Sequence, residues 1–154
     1  AARFIFNMYE ANSSMDFDLD LAVKKDSENP VYYVQYAYAR ICSIFRSCDK
    51  ELLDNIKHKK VDLTLLDTKE EKDLIFFMST LAGEIIKSAK TYDPTKLTRY
   101  VIHLATLFHK FYTVNKVIVD DPLLMYARLL LCKCVQTVIN NILDMFKITT
   151  PEKM

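Results

Sequence analysis

The 154-residue chain is predicted to be an all-α helix bundle, and three features of its sequence support that prediction. It contains a single glycine, Gly83, whereas tight β-hairpin turns depend on glycine and Asn-Gly pairs. Three Asn-Pro or Asp-Pro pairs, Asn29-Pro30, Asp93-Pro94 and Asp121-Pro122, each place a helix-capping residue before a proline. Half of its residues (51%) are apolar, which is enough to bury a core in one domain of this length.

The first 28 residues are predicted to contain a helix over about 2–11 and then an extended acidic segment over 15–21. In that segment three aspartates alternate with three apolar residues: Asp16, Phe17, Asp18, Leu19, Asp20 and Leu21. Alternation with a period of two predicts an extended stretch that buries its apolar face. A calcium loop of the EF-hand type is excluded, because its sixth and twelfth positions would be Leu21 and Ser27 instead of Gly and Glu.

Four longer helices follow, and each has a recognisable start. The capping side chain accepts an unpaired backbone N–H, and proline fits the first helical position because it has no N–H to leave unpaired. Asp67-Thr68-Lys69-Glu70 resembles a capping box with Asp67 in the cap position. The predicted helices cover about 30–48, 68–91, 94–119 and 122–146. The loop over 54–66, which contains Lys57-His58-Lys59-Lys60, joins the first two.

The last two helices each carry a stripe of mostly apolar residues at spacings of three and four, which predicts a buried face. On the first of them the stripe is Leu97, Val101, Leu104, Phe108, Phe111 and Asn115. On the second it is Met125, Leu129, Cys132, Gln136, Ile139 and Leu143. The four cysteines lie in apolar helical stretches and are expected to be buried reduced thiols.

Charge and hydropathy exclude several classes of protein. The net charge is only +1, which excludes a polycation, although residues 1–29 sum to −3 (three basic, six acidic) and the remainder to +4 (18 basic, 14 acidic). No apolar run near bilayer-spanning length and no signal-peptide pattern is recognised. The chain does not begin with Met, so we expect it to be a part of a longer protein.

A catalytic or metal site is not predicted. One glycine cannot form a phosphate-binding loop, which needs several so that backbone N–H groups approach the ligand. His58, His103 and His109 do not share a catalytic spacing with a carboxylate and a nucleophile. His103 and His109 lie six residues apart on a helix and so point to different faces. Each histidine is expected to be a surface or boundary residue.

The most informative cluster lies on the helix after Pro30, where four tyrosines and an arginine fall within nine residues: Tyr32, Tyr33, Tyr36, Tyr38 and Arg40. Tyr36 and Arg40 are four apart and share a helix face. A ring and a planar guanidinium together suit stacking on and hydrogen bonding to unpaired bases. An ordinary structural cation–π pair explains the same residues, and composition alone favours it. Tyr112, likewise, is consistent with a half-buried core residue.

Four segments in order resemble sequences of the arginyl-tRNA synthetase family. Residues 16–22, D-F-D-L-D-L-A, resemble the sequence with which the catalytic domain ends. Residues 31–40 resemble the Y-x-Q-Y-A-x-A-R segment that opens the anticodon-binding domain. Residues 104–112 resemble its L-A-x-x-F-H-x-F-Y, and Pro151-Glu152-Lys153-Met154 resembles its P-E-R-M terminus. Two glycines that the family commonly carries near its end are replaced here by Ile142 and Lys147, which puts the local backbone in question.

The resemblance implies a helix bundle of the class I aminoacyl-tRNA synthetase anticodon-binding (DALR) type over residues 29–154, preceded by the tail of the catalytic domain over residues 1–28. The parent enzyme would join arginine to its tRNA, using ATP and magnesium. The H-I-G-H-like and K-M-S-K-S-like motifs of such enzymes do not occur here. The chain is therefore expected to bind no cofactor, to catalyse nothing, and to be a cytoplasmic monomer without membrane contact.

The partner implied is the anticodon stem-loop of an arginine tRNA. In the family the residue matching Tyr36 stacks near the anticodon loop, the one matching Arg40 contacts it, and those matching Tyr112 and Met154 line the same pocket. A helical adaptor that docks a protein partner through its aromatic face is the alternative function. A third possibility is the related domain of cysteinyl-tRNA synthetases, against which the P-E-K-M ending argues.

Overall fold

The computed structural model describes residues 1–49 and 61–154, and these residues form helices joined by turns, without a strand. The helices are α1 (Ala2–Phe6), α2 (Leu19–Val23), α3 (Pro30–Ser47), α4 (Lys69–Ser79), α5 (Leu81–Thr91), α6 (Thr95–Val114) and α7 (Pro122–Met145), with a 3₁₀ turn at Leu63–Leu65. The predicted all-α class is confirmed. Of the predicted loop over 54–66, the Lys57-His58-Lys59-Lys60 run lies outside the described residues.

Helix α6 lies at the centre of the bundle and contacts α3, α4, α5 and α7. Its predicted stripe is confirmed, because all six of its residues are buried: Leu97, Val101, Leu104, Phe108, Phe111 and Asn115. On α7 the predicted face is also buried from Leu129 to Leu143, and Met125 packs against the core in a partly buried position. The core thus forms where the two apolar stripes meet each other and the buried side of α3.

The start of α3 follows from its cap. The Asn29 side-chain oxygen accepts hydrogen bonds from the backbone N–H groups of Val31 (3.2 Å) and Tyr32 (3.4 Å). Its amide nitrogen donates to the carbonyl of Lys24 at 2.9 Å, so the same side chain also ties the end of α2 to α3. Asp121 caps α7 in the same way through Leu123 and Leu124. The predicted bounds of α3 and α7 are confirmed to within one residue.

The predicted helix over 68–91 is two helices that meet at Thr80. The hydroxyls of Ser79 and Thr80 donate to the carbonyls of Phe76 and Phe77, each at 2.7 Å, and such back-bonding bends a helix. The predicted cap was also wrong by one residue. Thr68 is the N-cap and forms a complete capping box with Glu71.

Two predicted features near the N-terminus differ from the structure. Helix α1 ends at Phe6 and does not continue to residue 11. The acidic segment is not an extended stretch with a buried face, because Asp18 caps the short helix α2 by accepting from Leu21 N–H at 2.8 Å. Leu19 is 71% exposed. One of the alternating aspartates, Asp18, therefore acts as a helix cap. Its hydrogen bond to the backbone favours a helical turn where the period-two pattern predicted an extended stretch.

The end of α7 explains one of the two replaced glycines. Lys147 has φ of +54°, and the N–H groups of Ile148 and Lys147 donate to the carbonyls of Leu143 and Asp144, both at 2.9 Å. This is a Schellman C-cap with lysine in the left-handed position that glycine usually takes. Ile142, by contrast, is fully buried inside a regular helix. Both substitutions are accommodated without breaking the fold.

Helix α7 is long and apolar enough, by length and composition, to cross a membrane, and it is the one such helix in the described part of the chain. The prediction that no apolar run approaches that length is therefore wrong. Core helices of globular bundles pass the same test, and α7 has ten buried residues. One of them is Arg128, which pairs with Glu71 inside the bundle.

Candidate nucleic-acid interface

Tyr36 and Arg40 lie on one face of α3, as their spacing predicted. The Arg40 Nη2 donates a hydrogen bond to the Tyr36 hydroxyl at 2.9 Å, and the guanidinium carbon is 5.4 Å from the centre of the Tyr36 ring. The Tyr36 side of this pair is open, because that residue is 38% exposed. The pair is therefore oriented by internal contacts and still reachable from solvent.

Helix α6 brings Tyr112 to the same place. The guanidinium carbon of Arg40 lies 5.1 Å from the centre of the Tyr112 ring. Behind Tyr112 the buried Phe108 stacks on it, with ring centres 6.0 Å apart and an interplanar angle of 27°. Arg40 thus contacts two aromatic rings from two helices, and cation–π attraction favours this arrangement. Three of the four predicted site residues are brought together.

His109 also belongs to this cluster, and sequence reasoning missed it. Its ring stacks on Tyr36 (centres 5.8 Å apart, 29° between planes) and lies 4.8 Å from the Tyr33 ring. Two signals were available: its position three residues before Tyr112, one turn away on the same helix, and its match to the histidine of the L-A-x-x-F-H-x-F-Y segment. The expectation of a boundary residue is confirmed, since His109 is partly buried. Its place behind Tyr36 follows only from the packing of α6 on α3.

The environment of His109 favours the neutral imidazole. Burial lowers its pKa, a hydrogen bond with the Tyr33 backbone raises it, and the nearby positive charge of Arg40 lowers it further, for a net shift downward. Among the described residues its buried Nε2 has no hydrogen-bond partner. A charged imidazolium would leave that N–H unpaired and away from water, which is unfavourable.

A cavity of about 370 Å³ opens beside Arg40 and Tyr112. One wall belongs to α3 and the other to the segment that follows α6. The lining residues are Arg40, Ser43, Ile44, Ser47, Tyr112, Asn115, Lys116, Val117 and Ile118. A flat aromatic group entering this cavity would meet a ring, a guanidinium, two hydroxyls and a lysine. This combination provides stacking together with hydrogen-bond donors and positive charge.

The C-terminal residues run along α3. Gln35 Nε2 donates to the carbonyl of Thr149 at 2.7 Å, and Arg46 Nη1 donates to the carbonyl of Glu152 at 2.9 Å. Gln35 and Arg46 are eleven residues, or about three turns, apart on one face of α3. Met154, two residues beyond Glu152, is 48% exposed. The structure therefore shows an anchored tail, while the contact of Met154 with the Tyr36 cluster stays a prediction.

Among the residues that the structure describes, the other histidine, cysteine and acidic side chains do not form a metal site. In the described ranges, no three His, Cys, Asp or Glu side chains are placed to hold a metal ion. The four cysteines are free thiols, and burial raises the pKa of Cys132 to about 12. Cys134 is exposed and Cys48 is only partly buried, so the expectation that all four are buried is wrong at these two positions.

Residues 34–154 match the family model described as the DALR anticodon binding domain. The whole chain is 50% identical to part of an arginine–tRNA ligase from Acetivibrio thermocellus, and 99% of it is 45% identical to part of the Ruminiclostridium cellulolyticum enzyme. In each case the chain spans 27% of the relative's length.

Solved structures agree with these matches. The fold resembles a Campylobacter jejuni protein assigned as an arginyl-tRNA synthetase, with a TM-score of 0.85, 29% identity and coverage of 99% of this chain and 32% of the other. For the Thermus thermophilus arginyl-tRNA synthetase the TM-score is 0.81 at 25% identity, with 99% and 26% covered.

Proposed function

The chain belongs to the DALR anticodon binding domain family, and we propose that it binds the anticodon stem-loop of an arginine tRNA. The observation that carries the proposal is the position of Arg40, in contact with Tyr36 and Tyr112 and beside an open cavity. Unpaired bases are recognised by stacking on aromatic rings and on guanidinium planes, together with hydrogen bonds to their edges. Tyr36, Arg40, Tyr112 and Met154 are the residues proposed to contact the loop.

The proposal extends to the parent enzyme. Residues 29–154 would form the binding domain and residues 1–28 the tail of a catalytic domain that joins arginine to its tRNA. ATP and magnesium would act in that upstream part, since this chain contains one glycine and neither catalytic motif. A monomeric state and a cytoplasmic location belong to the same proposal. The relatives' names support the arginine specificity over that of the cysteinyl enzymes, and none of them supports the protein-docking adaptor.

One titration tests the binding function. A synthetic anticodon stem-loop of an arginine tRNA, labelled at one end, is titrated with the 154-residue chain at a fixed salt concentration, because phosphate contacts make affinity salt-dependent. The control is the same stem with the three anticodon bases replaced. Preferential binding of the arginine loop is expected, and equal affinities for the two loops would contradict recognition of the anticodon.

A second measurement tests whether the chain lacks catalytic activity of its own. The purified chain, given arginine, ATP, magnesium and tRNA, is expected neither to exchange pyrophosphate into ATP nor to charge the tRNA. Pyrophosphate exchange that follows the chain through purification would show that it carries catalytic groups of its own.

A further inference from the structure

A buried ion pair lies next to the proposed site. Arg128 Nε on α7 donates to Glu71 Oε1 on α4 at 2.7 Å, and the side chains are 10% and 0% exposed. Burying two charges is unfavourable unless their other hydrogen-bonding positions are also filled. Replacing such a pair with well-packed hydrophobic residues of similar volume often leaves stability unchanged or raises it. Stability alone therefore does not account for this pair.

The other donors of Arg128 show what the pair holds. Its Nη1 donates to the carbonyl of Lys116 at 2.7 Å, and its Nη2 donates to Asn115 Oδ1 at 3.3 Å. The second oxygen of Glu71 accepts from the Thr68 N–H at 2.9 Å. The Glu71 carboxylate is thereby held at the start of α4. It in turn holds the Arg128 guanidinium, which donates hydrogen bonds to the segment after α6.

That segment ends α6 and forms one wall of the cavity. Asn115 has an extended backbone (φ −112°, ψ 121°), which ends the helix that was predicted to reach residue 119. Asn115 is buried, and its amide also donates to the carbonyl of Phe111 at 3.3 Å. Asn115, Lys116, Val117 and Ile118 face Arg40, Ser43 and Ser47 across the cavity. The width of the cavity therefore depends on where Arg128 holds this segment.

We propose that Arg128 is a positioning residue of the binding site, which sets the wall over 115–118 at the spacing that an unpaired base needs beside Tyr112. This inference rests on the function proposed above. Arginine suits the role because its planar guanidinium donates in three fixed directions at once, to Glu71, Lys116 and Asn115. Lysine would keep the positive charge opposite Glu71 but would lose the hydrogen-bond donors that the guanidinium directs to Lys116 and Asn115.

The test uses two variants of the 154-residue chain and one matched control. Arg128→Lys retains the ion pair, and Glu71→Gln with Arg128→Met removes both charges while glutamine keeps the capping box. Arg99→Lys makes the same chemical change at an exposed position of α6. For each protein the fraction folded, the affinity for the arginine stem-loop and the NMR order parameters of the amides over 115–118 are measured.

We expect Arg128→Lys and the double variant to fold. Because the contacts that support the site are lost, both should bind the stem-loop about 10-fold more weakly. Both should also show lower order parameters over 115–118. Arg99→Lys should match the parent chain in all three measurements. Parent-like affinity of either folded variant would overturn the proposal, as would loss of folding in both, which would make the pair purely structural. If the parent chain does not bind the stem-loop, the proposed function is wrong. If the order parameters over 115–118 in the variants equal those of the parent chain, Arg128 does not position the wall, whatever the affinities are.

Discussion

The guanidinium carbon of Arg40 on α3 lies 5.1 Å from the centre of the Tyr112 ring on α6, although the two residues are 72 positions apart in the chain. The contact joins two helices at the rim of the cavity and leaves the guanidinium between two rings. A structural cation–π pair and a pre-oriented ligand site have the same geometry. Substitution of the residues distinguishes the two. Loss of a structural pair lowers the melting temperature, whereas loss of a ligand site lowers the affinity for the stem-loop.

Tyr36→Ala and Arg40→Ala should each weaken stem-loop binding by about 1–3 kcal/mol, the usual effect of losing a base stack or a good polar contact. Melting should change little, because Tyr36 is exposed and Arg40 is only partly buried. Tyr92→Ala serves as the control, since Tyr92 is 92% exposed and caps the end of α5, just before the start of α6 and therefore at the other end of that helix from Tyr112. If melting collapses while each folded molecule still binds normally, the pair is structural.

The chain end should matter for binding. The Gln35 and Arg46 side chains hold the tail along α3, and Met154 is proposed to contact the loop from this anchored end. Deleting Lys153-Met154, or appending a C-terminal tag, is therefore expected to reduce stem-loop affinity. Most termini are loose unless such contacts fix them. An N-terminal tag of the same length is the control. Equal affinities of the two tagged forms at one salt concentration would remove Met154 from the site.

Lys147→Gly should stabilise the protein by about 0.5–1 kcal/mol, because glycine adopts the left-handed conformation at φ +54° without the steric penalty of a Cβ. The exposed ion pair with Asp144 that is lost contributes little. Urea unfolding of the two proteins measures the difference. Lys110→Gly, the same change at an exposed site inside α6, should instead destabilise by about 1 kcal/mol. Destabilisation by both changes would contradict the conformational explanation.

Acidification should destabilise the fold through His109. Its pKa lies below its ordinary value of 6.5 when folded, so the unfolded chain binds the proton more readily. The stabilising effect of the neutral imidazole is therefore complete above about pH 6.5 and is lost as the pH falls toward the folded pKa. Melting temperatures between pH 7.5 and 5 should fall for the parent chain and flatten in His109→Phe.

The exposed His103 provides the matched control, since His103→Gln should keep the dependence on pH. The pKa of Glu71 is also lowered from its ordinary 4.5, by hydrogen bonds to Thr68 and Arg128 that outweigh its burial. The contribution of the ionised Glu71 to stability is lost only below about pH 4.5, outside the pH range of the melting measurements. Identical slopes in the parent chain and His109→Phe would exclude His109 as the titrating group.

Much of the fold was predictable because it is encoded within a few residues. Asn29-Pro30 and Asp121-Pro122 mark the starts of α3 and α7, since a cap and a proline act on the backbone next to them. The stripe from Leu97 to Asn115 follows from helical period alone. The same period places Tyr36 and Arg40 on one face, and the four segments that resemble arginyl-tRNA synthetases pointed to the family.

Other features depended on contacts between distant parts of the chain, which no local pattern contains. Helix α6 ends at Val114 and not at residue 119, and the segment that follows it is held by hydrogen bonds from the distant Arg128 to Asn115 and Lys116. His109 lies behind Tyr36 only because α6 packs against α3. The sequence by itself determined where α3 and α7 begin and which faces of α6 and α7 are buried. The tertiary structure decided which side chains meet at the site, because their distances depend on how the buried faces pack together.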